Sequence, residues 1–215
     1  LEQVDHIDTL PGYAQGSFFM QDIGSMQVVE LAGIKPGDAV IDVCAAPGGK
    51  AMHALAKLHG KGSVQARDLT ENKVSMIEEN IERCAGAADA IEVLVWDARI
   101  LDPQAVEKAD VVIADLPCSG LGVIGRKSDI KYRMTPEQVA DIAALQREIL
   151  SVVWQYVKPG GILMYSTCTL TKAENQDNRD WFLENSPFTL LEEKELLPSA
   201  ETDGFYMIKC RRNKA

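Results

Sequence analysis

Acidic and cysteine side chains recur along this chain directly after short apolar runs, and they are the residues that could do chemistry. They stand at or just past the ends of successive predicted strands, as Asp42, Cys44, Asp68, Asp97, Asp115, Cys118 and Cys168. A cysteine thiolate is a nucleophile, and carboxylates bind hydroxyl groups or transfer protons. Because the carboxyl ends of parallel strands meet at one edge of a sheet, we expect these side chains to share one crevice.

The segment 44–50 has the features of a nucleotide-type ligand site. It follows the apolar run 39–41 and precedes the helix-favouring residues 51–58. A strand, a glycine turn and a helix N-terminus in this order let the backbone approach a ligand and aim unpaired N–H groups at it. The predicted binding residues are Cys44, Ala45, Ala46, Pro47, Gly48, Gly49 and Lys50. Their spacing is that of neither a dinucleotide-binding fingerprint nor a P-loop.

Asp68 extends this ligand site. It lies 20 residues after Gly48, close to the offset at which an acid binds a pair of ribose hydroxyls in nucleotide-binding α/β folds. We therefore predict that Asp68 binds the ribose of the ligand.

The elements that must position these groups alternate along the chain. Helices are predicted over 23–32, 51–58, 70–84 with Gly86 closing it, 135–157 and 174–184, and strands over 39–41, 63–68, 91–96, 109–114, 162–166, 188–192 and 205–210. Residues 1–21 are expected to be irregular or to form a short strand. Strands that alternate with helices predict an α/β fold with a doubly wound, mostly parallel seven-stranded sheet.

Composition bounds the class of protein. The 215 residues suit one substantial domain, which we place at 39–215 after a lead-in segment and helix at 1–38. No apolar run approaches the roughly 20 residues that a membrane helix needs, and no signal peptide is evident, so a cytoplasmic location is expected. Five scattered cysteines without a CxxC pair argue against a zinc site or a disulfide framework, and no metal is expected.

The charge pattern gives a mixed indication about nucleic acid. A net charge of −10 excludes a surface that is basic throughout. A local cluster after the Pro-Cys segment nevertheless offers phosphate contacts and one stacking ring, in Arg126, Lys127, Lys131, Tyr132 and Arg133. A second cluster near the C-terminus contains Lys209, Arg211, Arg212 and Lys214, which is either an RNA contact or a solubilising tail.

Three motifs carry a resemblance to a known family. DVCAAPGGK at 42–50, DLPCSG at 115–120 and STCT at 166–169 resemble the signature motifs of the RNA cytosine-5 methyltransferases. Segments 16–22 and 202–206 are similar to the family's upstream motif and closing strand, so the resemblance covers nearly the whole chain. Two positions depart from it, Ala51 for the usual Thr and Leu116 for a frequent Ala, and neither is among the predicted site residues.

The resemblance implies a Rossmann-like fold, S-adenosylmethionine as cofactor and an RNA substrate. It implies that Cys168 of the Thr-Cys motif attacks cytosine, that Cys118 assists product release and that Asp115 serves both catalysis and cofactor binding. Asp97 matches the acid that the family uses at the adenosine. The DNA cytosine-5 methyltransferases instead use the Pro-Cys thiol, which corresponds to Cys118, and the presence of both cysteines favours the RNA class.

Alternatives remain at this stage. The expected substrate is a cytosine of ribosomal RNA, with 16S the expected molecule, and the same chemistry on transfer RNA is the first alternative. A non-catalytic RNA-binding assembly module is the second, although the complete set of Cys168, Cys118 and Asp115 argues against it. A nicotinamide oxidoreductase is disfavoured by the absence of GxGxxG. Because the first residue is Leu1, we also expect a fragment that lacks an N-terminal RNA-binding region typical of the family.

Overall fold

Seven strands in a single sheet organise the molecule, for which a computed structural model describes residues 6–84 and 90–214. The strands are β1 (Ala39–Asp42), β2 (Ser63–Asp68), β3 (Ile91–Val95), β4 (Ala109–Asp115), β5 (Val157–Thr167), β6 (Phe188–Leu196) and β7 (Phe205–Arg212). The α-helices are α1 (Ile23–Ala32), α2 (Gly49–Leu58), α3 (Glu71–Arg83), α4 (Ile130–Arg133), α5 (Pro136–Val153) and α6 (Gln176–Asn185). Short 3₁₀ turns occupy Ile7–Thr9 and Trp154–Tyr156.

The strand order is β3-β2-β1-β4-β5-β7-β6, with β7 antiparallel to both of its neighbours and the other pairs parallel. The predicted α/β fold with a mostly parallel seven-stranded sheet is therefore confirmed. The chain adds β2 and β3 on one side of β1, and it then adds β4 and the later strands on the other side. Ligands of open α/β sheets bind where the order reverses in this way, which here is beyond the carboxyl ends of β1 and β4.

Two apolar layers, one on each face of the sheet, hold it in place. Strand residues alternate between them, as Val111 and Ile113 face one layer and Val112 and Ala114 the other. The first layer packs under α1, α2 and α3, and the second under α5 and α6. This period of two follows from the pleat of a strand, and it leaves the strand ends free to carry polar groups.

Helix boundaries follow the predicted capping residues. The Asp22 carboxylate accepts the N–H of Gly24 at 2.8 Å, and Gly33 takes a φ of 71° that glycine adopts without strain. Thr135 and Gln138 form the predicted reciprocal capping box at the start of α5. Both helices therefore begin where the sequence places them.

The structure corrects several predicted boundaries. Helix α5 ends at Val153 rather than near 157, and β5 starts at Val157 rather than 162. The breakers Pro159, Gly160 and Gly161 do not delay the strand, because the β4–β5 register shifts between Ala109 and Val111 and accommodates them in a bulge. Helix α6 starts at Gln176, two residues late. The preceding Glu174 binds Ser119 of the loop after β4, and the Asn175 amide donates to the Thr169 carbonyl of its own loop.

Other differences concern segments without a strong pattern. The basic cluster holds one helical turn, α4, which its mixed composition did not indicate. Within residues 6–22 of the lead-in the chain forms turns and a 3₁₀ segment but no strand. The predicted helix closure at Gly86 lies outside the described residues.

Candidate active site

Two cysteine sulfurs meet beyond the ends of β4 and β5. The Sγ atoms of Cys118 and Cys168 are 3.0 Å apart, and both side chains are partly buried. The hydrogen bond from Cys118 lowers the pKa of the Cys168 thiol, and the nearby charge of Lys50 acts in the same direction. The same hydrogen bond, together with burial, raises the pKa of Cys118. Of the two thiols, Cys168 is therefore the one that loses its proton more readily.

Lys50 and Asp115 form an ion pair next to these cysteines. Burial alone lowers the pKa of Lys50, but the charge of Asp115 and its hydrogen bond outweigh burial and raise that pKa. The second carboxylate oxygen of Asp115 accepts a hydrogen bond from Ser166 Oγ at 2.7 Å. Lys50 thus lies between the carboxylate of one motif and the thiol of another as a fixed positive charge.

The glycine turn after β1 is held from two sides. Gly48 has a φ of 104°, a conformation that residues with a Cβ rarely adopt, and its N–H donates to the Ala45 carbonyl at 2.6 Å. Asn80 of α3 donates to the Pro47 carbonyl at 3.0 Å. A Cβ on Gly48 would meet Ile77 at 3.3 Å, and one on Gly49 would meet Phe19 at 2.8 Å. The backbone conformation at Gly48 and the Phe19 ring at Gly49 therefore favour glycine independently of any ligand.

Asp68 is nearly inaccessible, at 3% exposed, and it supports the same turn. One carboxylate oxygen accepts the N–H of Ala46 at 3.0 Å, and the other accepts the N–H of Leu69 at 2.7 Å. Lys73 Nζ lies 3.0 Å from the second oxygen. Asp68 therefore joins the end of β2 to the glycine turn, as expected of a crevice residue, and Lys73 is a partner that the sequence did not indicate.

The remaining acids differ in their surroundings. Asp42 is fully buried, and burial raises its pKa to about 7, against the opposing effect of Lys50. Burial and the charge of Asp68 raise the pKa of Cys44, so this thiol stays protonated near neutral pH. Asp97 lies one strand further out and is bound by Arg99, whose side-chain hydrogen bonds lower the pKa of the Asp97 carboxyl.

A buried carboxylate fastens together the two loops that carry the cysteines. Glu174 is 0% exposed, and it accepts the Ser119 N–H at 2.8 Å and the Ser119 hydroxyl at 2.5 Å. It also accepts the Thr171 hydroxyl at 2.7 Å and the Gln146 amide at 3.1 Å. Gln146 in turn donates to the Pro117 carbonyl at 2.8 Å. The relative position of the two sulfurs is thus set by groups outside the crevice.

Sequence reasoning did not find Glu174, Gln146 or Ser119. The sequence contains a signal for Glu174 and another for Ser119. Glu174 is an ionisable residue six positions after Cys168, and Ser119 follows Cys118 directly. Gln146 lies in the middle of a long helix, where no local pattern marks its inward direction.

The crevice suits a ligand with hydroxyl groups and a positive charge. The carboxylates of Asp68, Asp97 and Asp115 follow β2, β3 and β4 in turn, beside the glycine turn after β1. Carboxylates accept hydrogen bonds from a ribose and attract a cation, such as a sulfonium or an ammonium group. These residues therefore fit S-adenosylmethionine by their chemistry. Among residues 6–84 and 90–214, no group of three or more His, Cys, Asp or Glu is arranged to hold a metal.

The basic loop after the Pro-Cys motif is less free than its sequence suggests. Arg126 pairs with Asp22 at 2.9 Å and with Asp203 at 3.1 Å, and Arg133 pairs with Asp129 at 3.4 Å. Tyr132 is 81% exposed, and the Lys131 ammonium lies 4.8 Å from its ring centroid. The stacking ring and one adjacent cation are accessible, while two of the arginines already have carboxylate partners.

No helix in the described part of the chain is long and apolar enough to cross a membrane.

Known proteins resemble this chain in sequence and in fold. The family model described as 16S rRNA methyltransferase RsmB/F matches residues 29–209. Ribosomal RNA small subunit methyltransferase B of Vibrio cholerae is 37% identical over 96% of the chain and 49% of that protein. The chain thus spans about half the length of the curated relatives that it matches.

Two solved structures from Pyrococcus horikoshii share the fold. NSun6, whose structure was determined with SFG, has a TM-score of 0.89 at 29% identity, over 99% of this chain and 57% of its own. A methyltransferase homolog protein has a TM-score of 0.83 at 28% identity, over 96% of this chain and 72% of its own. The resemblance to the RNA cytosine-5 methyltransferases, and within them to the bacterial ribosomal RNA enzymes called Sun or Fmu, is confirmed. The chain belongs to the 16S rRNA methyltransferase RsmB/F family.

Proposed function

We propose that this chain transfers a methyl group from S-adenosylmethionine to carbon 5 of a cytosine in small-subunit ribosomal RNA, the 16S molecule, through a covalent bond between Cys168 and the base. The observation that carries the proposal is the pair of cysteine sulfurs 3.0 Å apart, with the pKa of Cys168 lowered and that of Cys118 raised. Family membership supports the substrate class. The cofactor supplies a methyl group on a sulfonium.

The first step needs a thiolate, because carbon 5 of cytosine is a poor nucleophile. Cys168 forms a bond to carbon 6, and the electron pair of the 5,6 double bond becomes available at carbon 5 for the methyl group. Electron density also moves toward ring nitrogen 3. We assign Asp115 to that edge of the ring, where the ammonium of Lys50 that is paired with it supplies the compensating positive charge.

The last step returns the enzyme to its starting state. A base removes the proton from carbon 5, the 5,6 double bond forms again, and the bond from carbon 6 to Cys168 breaks. Cys118 is the group that assists this release, because its sulfur contacts the departing one. The residues that would hold the cofactor are those of the 44–50 turn, with Asp68 at the ribose and Asp97 at the adenosine.

A denaturing gel with methyl-labelled cofactor and ribosomal RNA tests this assignment. Cys118→Ala keeps the attacking thiol, although it slows attack by raising the pKa of Cys168, and it slows release more, so a labelled protein–RNA band should accumulate. Cys168→Ala should give no band and no turnover. A band from the Cys168 variant and none from the Cys118 variant would reverse the two roles.

A further inference from the structure

We propose that a second basic site, at the edge of the sheet opposite the cysteines, binds backbone phosphates of the RNA; this inference rests on the proposed RNA substrate. We call it the far groove. It is a cavity of about 510 Å³. Its cationic side chains are Lys35, Lys158, Lys209, Arg211 and Lys214.

Strand alternation builds one wall of the far groove from part of the C-terminal basic cluster. Lys209 and Arg211 are two residues apart on β7, so they point to the same side of the strand, and both line the groove. Arg212 points to the opposite side, where it pairs with Glu107 at 2.7 Å. The cluster that the sequence presents as one tail is therefore divided between two surfaces.

Both carboxylates that line the far groove already accept hydrogen bonds from groups of the protein. Asp38 accepts the backbone N–H of Lys35 at 2.8 Å. Asp110 accepts the N–H of Ala39 at 2.9 Å and pairs with Lys158 at 2.7 Å.

The other groove cations remain available to a ligand. No carboxylate of the described residues forms an ion pair with Lys35, Lys209, Arg211 or Lys214. The groove therefore has a local excess of positive charge on a chain whose net charge is −10.

The lining indicates which part of an RNA would bind. Lysine and arginine side chains surround the small residues Gly160 and Gly161, and the described lining contains no aromatic ring on which a base could stack. Contacts of this kind go to phosphates, and they fix the position of a nucleic acid without reading its sequence. The far groove is thus a positioning site rather than a specificity site.

Distance separates the far groove from the chemistry. Ile162 lines the groove, and Cys168 follows six residues later along β5. At about 3.3 Å per strand residue this corresponds to roughly 20 Å. An RNA that contacts both sites must extend well beyond the target nucleotide, so only long or folded RNA should benefit from the groove.

Binding measurements with two RNAs test the proposal. The probes are an unmodified small-subunit ribosomal RNA transcript and a six-nucleotide oligonucleotide that contains cytosine. For Lys209→Gln with Arg211→Gln, we expect transcript affinity to fall roughly 15- to 30-fold near 0.15 M salt, from the counterion release of two lost phosphate contacts. The salt slope should decrease by about 1.4 to 1.8. Affinity for the oligonucleotide and for S-adenosylmethionine should not change.

Two further variants keep the result interpretable. Lys35→Gln with Lys214→Gln removes two groove charges from outside the strands, and it should reproduce the loss. Lys108→Gln with Lys194→Gln removes two exposed charges outside the groove and serves as the control. Equal transcript affinity in groove and wild-type proteins, or an equal loss in the control, would overturn the proposal.

The proposed function can fail separately from this inference. Wild-type protein that binds the transcript but transfers no methyl group would contradict the proposed reaction. The effect of the groove substitutions on transcript affinity would still decide whether the groove binds RNA.

Discussion

At the scale of single residues, the proposed chemistry depends on which of two adjacent thiols ionises. A hydrogen bond from Cys118 favours the thiolate of Cys168, and Lys50 adds a positive charge nearby. Cys44 lies in the same crevice, but burial and then the charges of nearby carboxylates raise its pKa and oppose its ionisation. The three crevice cysteines therefore differ in reactivity because of their neighbours, and not because of their positions in motifs.

We expect Cys168 to react with iodoacetamide at a lower pH than an ordinary cysteine, because its pKa is lowered. Its reactivity should fall as pH decreases through that pKa. Cys118→Ala removes the hydrogen-bond donor, so the pH midpoint of alkylation should move upward. The rate at neutral pH should then fall about tenfold for every pH unit by which the midpoint rises. The measurement is alkylation of Cys168 against pH, followed by mass spectrometry of its peptide.

Cys44→Ala is the matched control for this experiment, because the Cys44 sulfur makes no hydrogen bond to Cys168. It should leave the midpoint of Cys168 unchanged. If the midpoint does not move in Cys118→Ala, or moves equally in both variants, the contact between the two sulfurs does not control ionisation.

At the scale of elements, a buried network holds the loops after β4 and β5 in register. Replacing Glu174 with Ala leaves the Ser119 N–H and the Gln146 amide without this partner. We expect a loss of about 2–5 kcal/mol in the free energy of unfolding, or a Tm lower by roughly 5–15 °C. Thermal unfolding followed by circular dichroism measures this change.

Glu184→Ala provides the control, because Glu184 is an exposed acid on α6. Its effect should stay within about 0.5 kcal/mol. Similar Tm values for the two variants would show that Glu174 does not fasten the cysteine loops.

A comparison of two glycines can separate the effect of the glycine turn on cofactor binding from the cost of backbone strain. Gly48 and Gly37 have almost the same φ, 104° and 103°, but a Cβ on Gly37 meets nothing within 4 Å. Substitution by Ala should cost about 1–2 kcal/mol at either position because of the left-handed backbone. Only Gly48→Ala should also weaken S-adenosylmethionine binding, which calorimetry measures. Equal affinities for both variants would mean that the turn is not the cofactor loop.

Local sequence signals predicted the parts of the molecule that depend on local physics. Capping residues predicted the starts of α1 and α5, and hydrophobic periodicity predicted the strand ends at Asp42, Asp68 and Asp115. The structure contains each of these features. The bulge in β5 and the late start of α6 did not follow, because each is set by a partner distant in the chain. The division of the C-terminal basic cluster between two surfaces also required the strand register.

The candidate site shows the same limit. Asp115, Cys118 and Cys168 meet as their strand-end positions predict, and Lys50 joins them from the start of α2. The side chains that orient them come from α5 and from the loop before α6. Their role depends on tertiary contacts over 28 to 55 residues of sequence, which no local pattern records.

At the scale of the whole molecule, the chain carries a net charge of −10 and spans about half the length of its curated relatives. A negative surface repels RNA at long range, and two arginines of the basic loop are paired with carboxylates of the chain. We expect the 215-residue chain to bind S-adenosylmethionine fully but to methylate ribosomal RNA more slowly than a chain of the relatives' length. Initial rates at low and physiological salt provide the comparison, and equal rates at both salts would contradict this expectation.

The identity of the methylated atom decides the proposed reaction. The chain is incubated with S-adenosylmethionine and unmodified small-subunit ribosomal RNA, and the RNA is digested to nucleosides for mass spectrometry. We predict 5-methylcytidine with the wild-type protein and none with Cys168→Ala. A different methylated nucleoside, or 5-methylcytidine formed equally well by Cys168→Ala, would contradict the proposed role of this thiol at carbon 6 of the base.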